Sequence, residues 1–113
     1  MKIVLTTKGE TWESPMDARF GRSEMFLVYD ETSEAFDYIK NNETEAMEHG
    51  AGLQTAKKIL KLDPDVIITG NGAGGKALDI LRTAKVKIYT GAGEMSVQEA
   101  YEAYKNGKLS TQN

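Results

Sequence analysis

The segment that most constrains this chain is Val66-Ile67-Ile68-Thr69 running into Gly70-Asn71-Gly72-Ala73-Gly74-Gly75-Lys76. A continuous apolar and β-branched run without polar alternation suits a strand covered on both faces, as in a parallel sheet. After the glycines, Ala77, Leu78, Leu81 and Ala84 recur at helical spacing, which predicts a helix with one apolar face. A strand, a glycine loop and a helix in that order require a right-handed crossover to a parallel neighbour. The chain is therefore expected to fold as a layered α/β protein.

The remaining segments fit around that unit. Lys2-Ile3-Val4-Leu5-Thr6 is a second short apolar run, suited to a central strand. Residues 7–23 contain Gly9, Pro15 and Gly21 without periodicity, and predict a long ordered loop of the kind that often carries function. Met25-Phe26-Leu27-Val28-Tyr29, the turn Asp30-Glu31-Thr32-Ser33 and a return strand from Ala35 to Lys40 predict a hairpin. The stretch from Asn41 to His49 is polar and irregular.

From Gly50, the spacing of Leu53, Ala56, Ile59 and Leu60 marks a helix, and Asp63-Pro64-Asp65 stops it because proline cannot continue a helix. Val86-Lys87-Ile88-Tyr89 is the fifth strand. Ser96-Val97-Gln98-Glu99 reads as a capping box, opening a helix whose stripe is Val97, Ala100, Tyr101 and Tyr104. The tail from Gly107 is polar and expected to fray. The predicted fold is a three-layer α/β/α domain over residues 1–113. Its mixed five-stranded sheet follows the order β-β-β-α-β-α-β-α, with the early hairpin supplying an antiparallel edge.

Composition removes several function classes. The 113 residues suffice for a core without staples, and the absence of cysteine excludes disulfides and thiolate metal sites within the chain. A formal net charge of −3 has the wrong sign for a nucleic-acid binder, and Lys57, Lys58 and Lys61 read as a solvated helix face. No apolar run approaches the roughly 20 residues of a membrane span. Met1 leads straight into a strand pattern without signal-peptide features, so a cytoplasmic location is expected.

The glycine loop comes close to two nucleotide-binding motifs. Gly70, Gly75 and Lys76 match the opening of a P-loop, but the next residue is Ala77, which has no hydroxyl for magnesium. Gly70, Gly72 and Gly75 match the dinucleotide fingerprint, but the following strand ends at Thr90 and offers no carboxylate for a ribose. What remains is a strand–glycine–helix junction whose backbone N–H groups, with Lys76, favour an anion. The plainer alternative is a tight β-α connection.

Two further motifs carry chemistry. Arg19-Phe20-Gly21-Arg22 sets two guanidiniums around a small pivot, able to grip a carboxylate, phosphate or other anion; a surface ion pair with Phe20 in the core is the alternative. His49-Gly50-Ala51-Gly52 places the one histidine at a helix start, as a metal ligand or as a helix-end hydrogen bonder. With the third strand parallel to the first, the loops that bear Arg19 and Arg22, His49, and Gly70 to Lys76 meet at one carboxyl edge of the sheet. Hydrolysis is disfavoured, because the first strand KIVLTT has no carboxylate for a metal and no G-x-S-x-G is present.

Met1-Lys2-Ile3-Val4, Arg19-Phe20-Gly21-Arg22, His49-Gly50-Ala51-Gly52, Asp65-Val66-Ile67-Ile68-Thr69-Gly70 with Lys76-Ala77-Leu78, and the closing Val86-Lys87-Ile88-Tyr89 and Val97-Gln98-Glu99-Ala100 keep a distinctive order. Together they resemble the dinitrogenase iron–molybdenum cofactor biosynthesis family, which includes the NifX-type proteins and the carboxyl-terminal domain of NifB. The resemblance implies a ribonuclease H-like fold. It also implies a non-catalytic protein that binds or carries an iron–molybdenum or iron–sulfur cofactor or its precursor, working with cofactor-biosynthesis proteins.

Carried over, it assigns cofactor contacts to Arg19, Phe20, Gly21, Arg22, Gly50, Gly70, Gly72, Gly74, Gly75 and Lys76, and a metal contact to His49. Many members carry histidine where this chain has Arg19, which leaves His49 as the one imidazole. The alternative reading is a phosphate- or nucleotide-responsive regulatory domain that uses residues 70–76.

Overall fold

A computed structural model describes residues 1–41 and 49–112. Residues 42–48, which include most of the stretch expected to be irregular, and residue 113 lie outside the described residues. The fold is α/β, and the described residues form a mixed sheet of six strands and three helices. In chain order these are β1 (Lys2–Thr7), β2 (Met25–Asp30), β3 (Ala35–Lys40), α1 (Ala51–Leu60), β4 (Val66–Ile68), α2 (Gly75–Thr83), β5 (Lys87–Thr90), α3 (Val97–Lys105) and β6 (Ser110–Thr111).

The strands lie in the order β3-β2-β1-β4-β5-β6. β1, β4 and β5 are parallel, with Val4 opposite Ile67 and Ile67 opposite Ile88. β2 runs antiparallel to both β1 and β3, so β3 points the same way as β1. The carboxyl ends of β1, β3, β4 and β5 therefore share one edge.

The two apolar runs are continuous because each face of the sheet has its own core. Val4, Phe26, Ile67 and Ile88 turn to one side, against Ala56 and Ile59 of α1 and Ala77 and Leu81 of α2. Ile3, Leu5, Leu27, Val66 and Ile68 turn to the other, against Met16 and the α3 residues Val97 and Ala100. Alternation at period 2 thus sends successive apolar side chains into different cores. The long loop of residues 7–23 closes the second core, and its Trp12 and Ser14 carbonyls accept the Gln98 and Val97 N–H groups at the start of α3.

Two expectations need correction. The sheet has six strands rather than five, because the tail does not fray. Ser110 and Thr111 pair antiparallel with Thr90 and Tyr89, and Leu109 packs against the second core. A polar, exposed two-residue strand carries no periodic signal. Ala84 does not join the buried stripe of α2; it is the exposed C-cap residue, one step past the turn that Leu81 anchors. Among the described residues no helix is long and apolar enough to cross a membrane.

Candidate functional site

The site is built at the carboxyl edge of β1 and β4. Thr6, the last but one residue of β1, and Thr69, directly after β4, are both buried, and the Thr6 hydroxyl donates to the Asp17 carbonyl at 2.7 Å while lying 2.9 Å from the Thr69 hydroxyl. Asn71 N–H donates to the Ala18 carbonyl at 2.8 Å. The loop after β1 is thereby stitched to the loop after β4. Close backbone approach completes the joint. A Cβ on Gly70 would lie 2.6 Å from Ala18 Cα and 2.8 Å from Gly93 Cα, so Gly70 is a packing glycine.

Asp17 organises the arginine loop. Its buried carboxylate accepts the Arg19 N–H and Nε–H on one oxygen, and the Arg19 Nη2 and Glu24 N–H on the other, each at 3.0 Å. Burial pushes this carboxyl up. The hydrogen bonds from Arg19 and Glu24 and the guanidinium charge outweigh burial and hold it below its ordinary value. Phe20 turns its ring into the core and is 3% exposed. Gly21 then meets α1, where its carbonyl accepts the Thr55 hydroxyl at 2.7 Å and its Cα hydrogen side faces Gly52 with no room for a methyl group.

This places Arg19, Gly21, Arg22, His49, Gly50 and Gly74 around one cleft of about 390 Å³. Two helices start there. Gly50 is the N-cap of α1 and Gly74 the N-cap of α2, neither has a side-chain capping bond, and neither helix has an acidic residue in its first turn. α3, on the other face, is treated differently: Ser96 accepts the Glu99 N–H and Glu99 accepts the Ser96 N–H in a complete capping box. Orphan N–H groups and the positive dipole ends of α1 and α2 thus converge on a cleft bearing two guanidiniums, where they favour an anion.

Gly70, Gly72, Gly75 and Lys76 are not among the residues that line this cleft. Gly72 and Gly75 have φ of 88° and 50°, conformations that favour glycine, and a Cβ at Gly74 or Gly75 would meet nothing within 4 Å. Lys76 is exposed in the first turn of α2 and is not among the residues lining the cleft. Gly70 instead lines a neighbouring cleft of about 500 Å³ with Ala18, Asn71 and Gly93. His49 is exposed, and among the described residues no group of three histidine, aspartate or glutamate side chains could hold a metal ion. Asp17 escaped the sequence reading. Its one signal was an acid two residues before Arg19, a spacing that permits many local arrangements.

The family profile for the dinitrogenase iron-molybdenum cofactor matches residues 1–107. The chain belongs to that family. Among solved structures it is similar to the orange protein of Desulfovibrio gigas, determined in its apo form, with a TM-score of 0.89 and 29% identity over 96% of this chain and 90% of that one. A Thermotoga protein proposed to be a NifB, and placed in the DUF35 family, gives a TM-score of 0.80 and 30% identity over the same shares, 96% and 90%. The crystal structure of PH0822 shares the fold at a TM-score of 0.74 and 19% identity, over 97% of this chain and 95% of that one. No curated protein sequence matches the chain.

Membership in the dinitrogenase iron-molybdenum cofactor family associates the chain with a metal–sulfur cofactor, and the donor set of the cleft says how such a group would be held. With no cysteine and one histidine, the cleft offers N–H groups and guanidiniums to the outer sulfur and oxygen atoms of an anionic cluster.

Proposed function

We propose that this protein binds and carries an anionic metal–sulfur cofactor of the iron–molybdenum or iron–sulfur type, or its precursor, in the cleft between the starts of α1 and α2. It does so without catalysis, in the cytoplasm, on a ribonuclease H-like scaffold, exchanging its cargo with cofactor-biosynthesis proteins. The observation that carries the reading is the pair of helix N-termini left without side-chain caps or first-turn acids beside Arg19 and Arg22. Helix ends need partners for their first N–H groups, and here an anion would supply them. Arg19 supplies charge already oriented by Asp17, and Arg22, His49, Gly50 and Gly74 line the same wall. Lys76 and the backbone of residues 70–75 would add positive potential at the rim.

Nothing in the cleft favours the nucleotide-responsive alternative. The residue after Lys76 is Ala77, whose methyl group is buried against the core, where a P-loop would present a hydroxyl to magnesium. The test is an anaerobic titration of native protein, Arg22→Ala and His49→Ala with iron–molybdenum cofactor extracted into solution, followed by its visible absorbance. Native binding that weakens at least tenfold in Arg22→Ala supports the cleft. A weaker effect of His49→Ala than of Arg22→Ala would show that anion contacts dominate over coordination. Absence of cofactor binding to native protein, with nucleotide binding in its place, would overturn the reading.

A further inference from the structure

Ala73 lies between Gly72 and the cleft-lining Gly74, and the side chain of Gln112 grips both of its backbone polar groups. The Ala73 N–H donates to Gln112 Oε1 at 2.9 Å, and Gln112 Nε2 donates to the Ala73 carbonyl. A primary amide carries separate donor and acceptor atoms and can meet a peptide in both directions at once. Gln112 is itself held from three sides. Its N–H donates to the Ile88 carbonyl at 2.8 Å, its carbonyl accepts from Arg82 Nη2 at 3.2 Å, and it follows directly on β6. A Cβ on Gly72 would fall 2.8 to 3.0 Å from the Gln112 amide atoms, so that glycine leaves the space the amide occupies.

We infer that Gln112 is a positioning residue for the cleft: its two-way clasp on Ala73 holds the glycine turn in the shape that aims the start of α2 at the anion. This rests on the proposed carrier function and names a residue that governs the same site without touching its ligand. The physical need is conformational. Glycine populates left-handed and extended backbone with little preference, and residues 70–75 contain four glycines. A turn left to sample those states would present a correctly aimed helix start only part of the time, and apparent affinity falls by that fraction. The clasp removes the sampling at the middle of the turn and ties it to β5, β6 and α2 at once. By linkage, ligand in the cleft should steady residues 110–112 in return.

The experiment compares native protein with Gln112→Ala and Gln112→Met. Methionine keeps the length of the side chain over Gly72 and removes both hydrogen bonds, which separates the clasp from simple packing. Amide hydrogen exchange is read without ligand, and affinity and dissociation rate are read in the anaerobic titration with extracted iron–molybdenum cofactor. Both variants should speed exchange in residues 71–76 while leaving α3 unchanged, and should weaken cofactor binding roughly three- to tenfold. Bound cofactor should slow exchange at Thr111 and Gln112 in native protein only.

Native-like affinity in Gln112→Met would overturn the clasp and leave the carrier reading standing. Weakened binding with unchanged exchange in residues 71–76 would overturn positioning in favour of direct contact. No binding by native protein would overturn the carrier reading, and this inference with it.

Discussion

The Asp17 carboxylate holds the Arg19 guanidinium in two bonds of 3.0 Å, with the acid side chain 1% exposed and the arginine side chain 52% exposed. One partner is anchored in the protein and the other faces water. The pair therefore works as a bracket: the buried acid fixes the turn from Ala18 to Glu24, and the charge it orients stands at the cleft.

Replacing Asp17 by Asn should cost about 2 kcal/mol, because hydrogen bonds to a charged group are lost and buried donors are left poorly matched. The carboxyl lies below its ordinary value of 3.8 in the folded protein. A depressed folded value gives stability that is fully present above the ordinary value and lost as pH falls through the folded one. Urea unfolding from pH 7 to 2 should show a native–variant gap that narrows below about pH 4. A gap constant with pH would show that the charge of Asp17 plays no part.

Gly74→Asp separates stability from binding. Gly74 has extended backbone, φ −112° and ψ 162°, the conformation of a good N-cap, and a Cβ there has open space. An aspartate should cap α2 and raise stability by about 0.3 kcal/mol through the cap, with a further gain from the smaller freedom of the unfolded chain, while its carboxylate occupies the N–H groups that the proposed anion would use. A higher melting temperature with cofactor binding lost is the expected pair of results. Retained binding would place the ligand away from the start of α2.

Gly21 and Gly52 face each other and should respond oppositely. A Cβ on Gly21 would sit 2.7 Å from Gly52 backbone atoms, whereas one on Gly52 has Ala77 Cβ at 3.7 Å as its nearest contact. Gly21→Ala should destabilise by about 1 to 3 kcal/mol through overpacking. Gly52→Ala, inside α1, should stabilise by up to about 1 kcal/mol through helix propensity. Thermal unfolding of both variants reads this directly, and equal effects would mean that the loop is not seated on α1 at Gly21.

Ser96→Ala should cost about 1 kcal/mol by removing the capping box of α3, with cofactor affinity unchanged because that helix starts on another part of the molecule. An affinity loss would tie α3 to the cleft.

The parts of this structure that the sequence made legible are those governed by neighbours along the chain. Lys2 to Thr6 and Val66 to Thr69 announced buried strands by unbroken apolar character, Ala35 to Lys40 a hairpin return, and Ser96 with Glu99 a helix start. Each is a period or spacing within a few residues, which local physics determines. The candidate motifs at Arg19, His49 and Gly74 were visible in the same way, as residue types with chemistry to offer.

Tertiary structure decided what those residues do. Glycine in a sequence shows freedom, not its use: Gly70 serves the contact with Ala18 and Gly93, Gly72 makes room for Gln112, and Gly74 opens the cleft. Asp17 and Gln112 carried no motif, because their partners are set by the way loops and strand ends meet after folding. β6 was hidden for the same reason, since Ser110 and Thr111 form a strand through the edge that β5 presents. Local sequence determined the elements and the α/β order. Packing of elements far apart in the chain decided which glycines pack, which line a cleft, and where two helix starts without side-chain caps come together.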